Sequence, residues 1–235
     1  LLTDAVGGKG YRQIDINLGC PFPMIAGKHK GAGMLLYPAQ VAEVLAPIAE
    51  YPEIQFSLKM RLGWENASEC MVLVELLNAI RLSRIALHAR TGKQQYKGHP
   101  DLEAFQGFYE LCQHPLYYNG GIESLSDIRQ ILIRFPLLKG VFIGRGLLSS
   151  PLLAKEFKGN ETFLPEQRMS IYFAFHEELF SAYSQVLQGE TQLLVKMKTL
   201  WEYFLPETDR KLLKRIKKST RLQQYTESVK AIFTS

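Results

Sequence analysis

Five times along this chain a short β-rich run ends in a polar, glycine-containing segment, and a helical pattern lies between each run and the next. The runs cover residues 13–18, 55–60, 84–88, 116–119 and 140–143, and the segments after them are Asn17-Leu-Gly-Cys-Pro, Lys59-Met-Arg-Leu-Gly, His88-Ala-Arg-Thr-Gly, Asn119-Gly-Gly and Gly144-Arg-Gly. Alternating strand and helix periods predict βα units feeding a parallel sheet. Chemistry-bearing residues at one end of every strand favour a (β/α)8 TIM barrel, where the carboxyl ends carry the site, over a doubly wound sheet. A doubly wound sheet would announce a GxGxxG turn after its first strand, and none is present. The repeat of roughly 33 residues matches the eight-unit, roughly 250-residue size of such barrels, so five strands predict an incomplete barrel with about three units before residue 1. The first residue is Leu and not Met, which reads the same way, with residues 1–10 as the tail of a helix whose strand is absent.

Helical spacing recurs at residues 38–50, where Val41, Val44, Leu45 and Ile48 share a face, and at 126–134. Beyond Pro151 the β pattern stops, and residues 165–188, 191–204 and 208–233 read as helices with aromatic and aliphatic faces. The expected division is a partial barrel over residues 1–155 and a small all-helical domain over 160–235. Hydrophobic residues make up 46% of the 235, enough for a large core. No apolar run is long enough to cross a bilayer and no secretory leader is seen, so the expectation is a cytoplasmic protein without a membrane span. Three well-separated cysteines, in no ligand spacing, argue against a disulfide framework and against a metal site.

The net charge of +5 is unevenly placed: residues 196–221 hold nine Lys/Arg against three acids. In 210–219, Leu212, Leu213 and Ile216 share one face while Lys211, Lys214, Lys217 and Lys218 sit largely on the other. Such a stripe suits a polyanion, and a solvated helix face is the plain alternative.

Among the strand ends, Cys20 follows a strand directly and precedes Pro21, which places its thiol at the barrel mouth in a position suited to an acid. A buried, inert thiol is the commoner fate of a lone cysteine, and Cys70 and Cys112 are left with it. Lys59 and Arg61 alternate about Met60, so both cations point to one side, toward an anionic or electron-rich ligand or toward internal carboxylates. Asn119-Gly-Gly and Gly144-Arg-Gly end successive strands, where glycine N–H groups can cradle phosphate. His88 suits a hydrogen-bond donor to the same ligand better than a metal ligand, since no second His or carboxylate sits at ligand spacing. Arg90, Lys93 and Lys97 with Tyr96 mix cation and aromatic as nucleic-acid contacts do, and equally as a solvated loop does.

Taken in order, Asp15-Ile-Asn-Leu-Gly-Cys-Pro, Lys59-Met-Arg-Leu-Gly-Trp, Leu87-His-Ala-Arg-Thr, Asn119-Gly-Gly-Ile and Ile143-Gly-Arg-Gly resemble the tRNA-dihydrouridine synthase family over roughly residues 11–150. The resemblance implies an FMN-dependent oxidoreductase in which NADPH reduces the flavin, hydride passes to C6 of a uridine in tRNA, and the cysteine protonates C5. It implies Cys20 as proton donor, Lys59, His88, Asn119, Gly120, Gly121, Gly144 and Arg145 as FMN contacts, and Asn17, Lys28 and Arg61 on the substrate side, where the cation and aromatic character of its loop also puts Arg90. It further implies that the protein acts as a monomer, with the helical domain holding tRNA. The Phe22-Pro-Met segment departs from the polar residues usual after the cysteine motif. A flavin-dependent reductase of a small pyrimidine or enone is the alternative activity, and a tRNA-binding protein without catalysis is a third reading. The basic tail counts against the first, because a small substrate needs no phosphate-binding surface.

Overall fold

A computed structural model describes residues 9–234. Five parallel strands, β1 (Gln13–Leu18), β2 (Gln55–Gly63), β3 (Arg84–Thr91), β4 (Leu116–Asn119) and β5 (Gly140–Phe142), form one sheet whose spatial order is the sequence order. That succession, with a helical crossover between neighbours, is the connectivity of a TIM-barrel segment. The expected helix over residues 1–10 falls outside the described residues as far as residue 8, and Lys9 and Gly10 form a turn.

Register divides the side chains between two faces. Leu58 pairs with Ile85 and Ile85 with Leu116; Met60 pairs with Leu87 and Leu87 with Tyr118. These apolar residues are buried under α3 (Glu69–Asn78) and α4 (Leu102–Leu111). Phe105 of α4 meets the Tyr118 ring edge-on at 4.9 Å and the Phe135 ring at 5.0 Å. Burying side chains of this size is worth roughly 1.5–3 kcal/mol each, so this face anchors the sheet. The opposite face carries Asp15, Asn17, Lys59, Arg61, His88 and Asn119, one residue out of phase. The site is therefore built on the side the helices do not cover.

Local rules set the helices. Asp101 caps α4 by accepting Ala104 N–H at 2.9 Å. The Glu69 carboxylate opens α3 by accepting the N–H groups of Trp64, Glu65 and Asn66. After α1 (Pro23–Ala26) and a 3-10 turn (Gly31–Leu36), α2 (Pro38–Leu45) ends earlier than its periodicity predicts. Pro47 has no N–H to continue the ladder, and residues Ala46–Glu50 tighten into a second 3-10 turn.

The chain divides into two compact units, Leu1–Ile122 with Ser126–Ile143, and Glu123–Leu125 with Gly144–Ser235; α5 (Leu125–Arg134) starts where the chain passes back to the first. The second unit is helical: α6 (Arg145–Ser149), α7 (Leu153–Gly159), α8 (Pro165–Val186), α9 (Gly189–Leu200), α10 (Arg210–Lys218) and α11 (Leu222–Phe233). Its core gathers Tyr172, Leu193, Met197, Trp201, Phe204, Ile216, Tyr225, Val229 and Ile232. One polar chain runs through it: Trp201 Nε1–H donates to Tyr225 Oη (2.9 Å), and Tyr225 Oη lies 2.6 Å from His176 Nε2. The Glu177 carboxylate only accepts, so the proton of the neutral His176 ring sits on Nδ1, 3.0 Å away, and Nε2 accepts from the Tyr225 hydroxyl. Periodicity predicts one helix over residues 208–233, and the structure breaks it at Ser219. There the backbone is extended and the Oγ donates to Ile216 O at 2.6 Å, which lets Ile216 and Tyr225 enter the same core. No helix among the described residues is long and apolar enough to cross a membrane.

Candidate active site

The backbone around Cys20 is held from every side. Asn17 Oδ1 accepts Gly19 N–H at 2.9 Å, Arg61 Nε donates to Gly19 O at 3.1 Å, and Ala32 N–H donates to Cys20 O at 3.0 Å. Gly31 packs directly against it: its φ is +55°, and a Cβ there would lie 2.8 Å from Cys20 O and 3.0 Å from Cys20 Cβ. Only glycine combines that left-handed backbone with that approach. The thiol, half-buried, is left with its own side-chain rotation as its main freedom. Because Asn17 spends its oxygen on Gly19, its amide nitrogen is the end turned away, as a hydrogen-bond donor.

Beside this turn the register sets polar residues in rows. Asn17 pairs with Lys59, while Arg61, His88 and Asn119 are consecutive partners across β2, β3 and β4. Adjacent strands are about 4.8 Å apart, so the three side chains stand shoulder to shoulder. Burial, and Arg61 beside it, pull the Lys59 ammonium below the usual lysine pKa, with Asp15 opposing. Asp15 is itself engaged by Ser57 Oγ at 2.5 Å. His88 is buried, and Arg90 Nη1 lies 3.2 Å from its Nε2. A guanidinium only donates, so Nε2 is the acceptor, the imidazole is neutral, and its donor is Nδ1–H. Arg90 also donates to Gly98 O at 3.0 Å.

At the end of β4, Gly120 and Gly121 adopt φ of +134° and +62°. A Cβ on the first would meet His88 Cδ2 at 3.1 Å, and one on the second Pro100 Cγ at 3.0 Å. Asn119 Nδ2 donates to Phe142 O at 2.8 Å, which fixes the amide and leaves its oxygen as the acceptor. Both glycines line an open cavity of 360 Å³ with His99, Pro100 and Asp127, so their backbone is reachable by a ligand. Among the described residues no group of three or more His, Cys, Asp or Glu could hold a metal ion.

The family model described as Dihydrouridine synthase (Dus) matches residues 3–234. The chain belongs to this family. A probable tRNA-dihydrouridine synthase of Rhizobium leguminosarum bv. phaseoli is 32% identical over 143 residues, 60% of this chain and 45% of the relative. The corresponding protein of Aquifex aeolicus (strain VF5) is 36% identical over 149 residues, 62% of this chain and 46% of its own. tRNA-dihydrouridine synthase B of Vibrio vulnificus (strain CMCP6) is 27% identical over 161 residues, 67% of this chain and 50% of its own. The chain thus spans about half the length of the curated relatives it matches. Dihydrouridine synthases are TIM barrels with a helical carboxyl-terminal domain, and the parallel five-stranded sheet and the helical unit are what that architecture requires.

Within this dihydrouridine synthase framework the remaining sites are less gathered. Lys28 is exposed in the turn after Cys20, next to His29, whose ring stacks on Tyr37 at 4.3 Å. That stacked pair carries no pattern in the sequence. Gly144 and Arg145 belong to the second unit, where they open α6. Cys70 is the buried thiol expected, its pKa pushed up to about 12; Cys112, expected to be buried as well, is half-buried, and burial raises its pKa too. The basic run divides. Lys198 Nζ donates to Ser219 O at 2.7 Å, and Lys196 lies over the Tyr183 ring at 5.4 Å. Lys211, Lys214, Arg215 and Lys218 line a groove of 440 Å³ between α10 and α11. Asp209 caps α10 by accepting the N–H groups of Lys211 and Leu212, and the cations of its last turn complement the helix dipole.

Proposed function

We propose that the complete protein is a tRNA-dihydrouridine synthase, reducing the C5–C6 double bond of uridine in tRNA, with Cys20 as the proton donor. The observation that carries the reading is the pinned Cys20 turn beside the row Arg61–His88–Asn119. A proton donor must meet carbon at a fixed distance, and misplacement by about 1 Å costs on the order of a hundredfold in rate. A turn held by Asn17, Arg61, Ala32 and Gly31 supplies that fixity.

The residues present fit a flavin. Lys59 and the Nδ1–H of His88 are donors for the electron-rich edge of its ring, Asn119 offers its oxygen, and Gly120 and Gly121 offer backbone at positive φ that no Cβ obstructs. FMN, reduced by NADPH, supplies the hydride when bound. The protein's own part is the proton: the Cys20 thiol gives it to C5 as C6 receives the hydride, and the thiolate is reprotonated from solvent. Asn17 donates to a carbonyl of the base and Lys28 approaches the RNA, while Arg61 and Arg90, both buried and donating to backbone carbonyls, act on the substrate side through the turns they hold. Flipping the uridine out of its stack costs a few kcal/mol, least in a loop of folded RNA. The groove of Lys211, Lys214, Arg215 and Lys218 supplies the phosphate contacts expected of a helical domain that holds tRNA. We place the reaction in the cytoplasm, with the protein acting as a monomer.

The test is Cys20→Ala in the complete protein. FMN and tRNA binding should be retained and uridine reduction abolished; turnover at the wild-type rate would remove Cys20 from the chemistry. Nucleoside mass spectrometry of tRNA from cells with and without the gene, mapped by position, should show dihydrouridine lost at defined sites. Unchanged dihydrouridine, with no redundant enzyme present, would favour the small-substrate reductase.

A further inference from the structure

Arg61 is the most deeply buried cation at the site, and two of its nitrogens donate to backbone carbonyls. Its side chain is 1% exposed. Nε donates to Gly19 O at 3.1 Å, in the turn that bears Cys20. Nη1 donates to Thr91 O at 2.8 Å and to Gln95 O at 2.7 Å, in the turn after β3. These two turns are far apart in the chain and follow different strands, yet one planar guanidinium holds both.

The second turn needs such a holder. Gln95 has a φ of +53°, a left-handed conformation that costs a non-glycine residue free energy and persists only where the surroundings impose it. Its carbonyl is one of the two that Arg61 takes. The next residue, Tyr96, has its ring centroid 5.5 Å from the Arg61 guanidinium carbon and 6.2 Å from the His88 ring. The Tyr96 side chain is also hydrogen-bonded to the guanidinium, so Arg61 engages this turn through Tyr96 as well as through the Gln95 carbonyl. On the other side, the Cys20 thiol is within electrostatic reach of the same guanidinium.

We propose that Arg61 is a positioning residue whose guanidinium clamps the Cys20 turn to the Gln95–Tyr96 turn, setting the proton donor and the neighbouring aromatic ring relative to each other. This deepens the reading of Cys20 given above and rests on it for its kinetic consequence. Only a fork can hold both turns at once, because Nε and Nη1 diverge at a fixed angle toward them, whereas a lysine ammonium is a single point on a flexible stem.

Hydrogen exchange on the complete, flavin-loaded protein reads the clamp directly, comparing wild type with Arg61→Gln and Arg61→Lys. The expected result is exchange at least tenfold faster in residues 17–20 and 91–97 together, with the amides of α3 and α4 unchanged. Lysine, which keeps the charge, should fail to restore either segment. For uridine reduction, kcat should fall roughly ten- to a hundredfold while KM for tRNA stays within about twofold. Faster exchange in only one turn, in neither, or throughout the sheet would overturn the clamp, as would full rescue by lysine. A raised KM with kcat held would overturn it too, and would make Arg61 a direct contact to the RNA. If Arg61→Gln fails to fold, Arg61→Lys carries the same measurement. If the wild-type protein reduces no uridine, the functional reading falls and hydrogen exchange still decides the clamp.

Discussion

Replacing Gly31 with alanine separates two costs that the Cys20 turn combines. The first is conformational: an alanine at φ +55° costs about 1–2 kcal/mol, because its Cβ crowds its own backbone in the left-handed region. The second is steric. The new Cβ would stand 2.8 Å from Cys20 O and 3.0 Å from Cys20 Cβ, against an ordinary separation of about 3.5 Å, so one backbone must yield by roughly half an ångström. Overpacking of this kind costs about 1–3 kcal/mol. Together they predict a destabilisation of roughly 2–5 kcal/mol and a Tm lower by about 4–20 °C, at some 2–4 °C per kcal/mol for a protein of this size. Gly10→Ala provides the control, since Gly10 has φ +80° and nothing within 4 Å of a built Cβ. It should show the conformational cost alone, about 1–2 kcal/mol, and leave the chemistry untouched. In Gly31→Ala the displaced turn carries Cys20 with it, and uridine reduction should drop at least about tenfold with FMN content unchanged. Thermal unfolding and single-turnover uridine reduction on the complete protein make the comparison. A Gly31→Ala protein that melts like Gly10→Ala and reduces uridine at the wild-type rate would refute the claim that this glycine fixes the cysteine.

Two further outcomes follow from the helical unit. Lys214→Glu with Lys218→Glu should weaken tRNA binding and flatten its dependence on salt, lowering the log–log slope by about 0.7–0.9 for each phosphate no longer neutralised; an unchanged slope in filter binding would remove the groove from the RNA interface. Burial holds His176 below the usual histidine value of 6.5, with Glu177 opposing, so between the folded value and 6.5 the unfolded chain takes up a proton that the native state refuses. Stability from this group is therefore complete above about pH 6.5 and drains as pH falls through that window. The stability difference between wild type and His176→Gln, measured by denaturant unfolding at about pH 7.5 and about pH 5.5, should shrink at the lower pH, and parallel curves would contradict it.

How much of this was legible in the sequence depends on the kind of interaction. The starts of all five strands, and the ends of β1 and β4, follow from runs of β-branched and aromatic residues closed by polar ones. The strands β2 and β3 extend to Gly63 and Thr91, past the expected ends at 60 and 88. Arg61 and Arg90 look like loop residues by charge, and they stay in the ladder because carbonyls from distant turns accept their protons. No local pattern reveals such partners. The same limit hid the tautomer of His88, which depends on Arg90 two residues along the strand, and the role of Gly31, whose neighbour in space is Cys20, across the intervening turn. The cysteine motif, the paired cations and the paired glycines were legible because each is a short segment whose chemistry is complete in itself. The helix break at Ser219 was not, because it is imposed by a core that both halves must reach.

The row formed by Arg61, His88 and Asn119 has a consequence for how such a protein can change over generations. Its three members come from three successive units and meet only because each sits at the right count from the start of its own strand. Losing one residue within β3 ahead of His88 would turn the imidazole toward α4 and bring Ala89 into the row. The segments between strands have no such arithmetic to keep and can lengthen or shorten at little cost. Insertions and deletions should therefore be purged from a few short stretches of the gene and accumulate freely between them, so that the site is inherited as a set of counts as much as a set of residues.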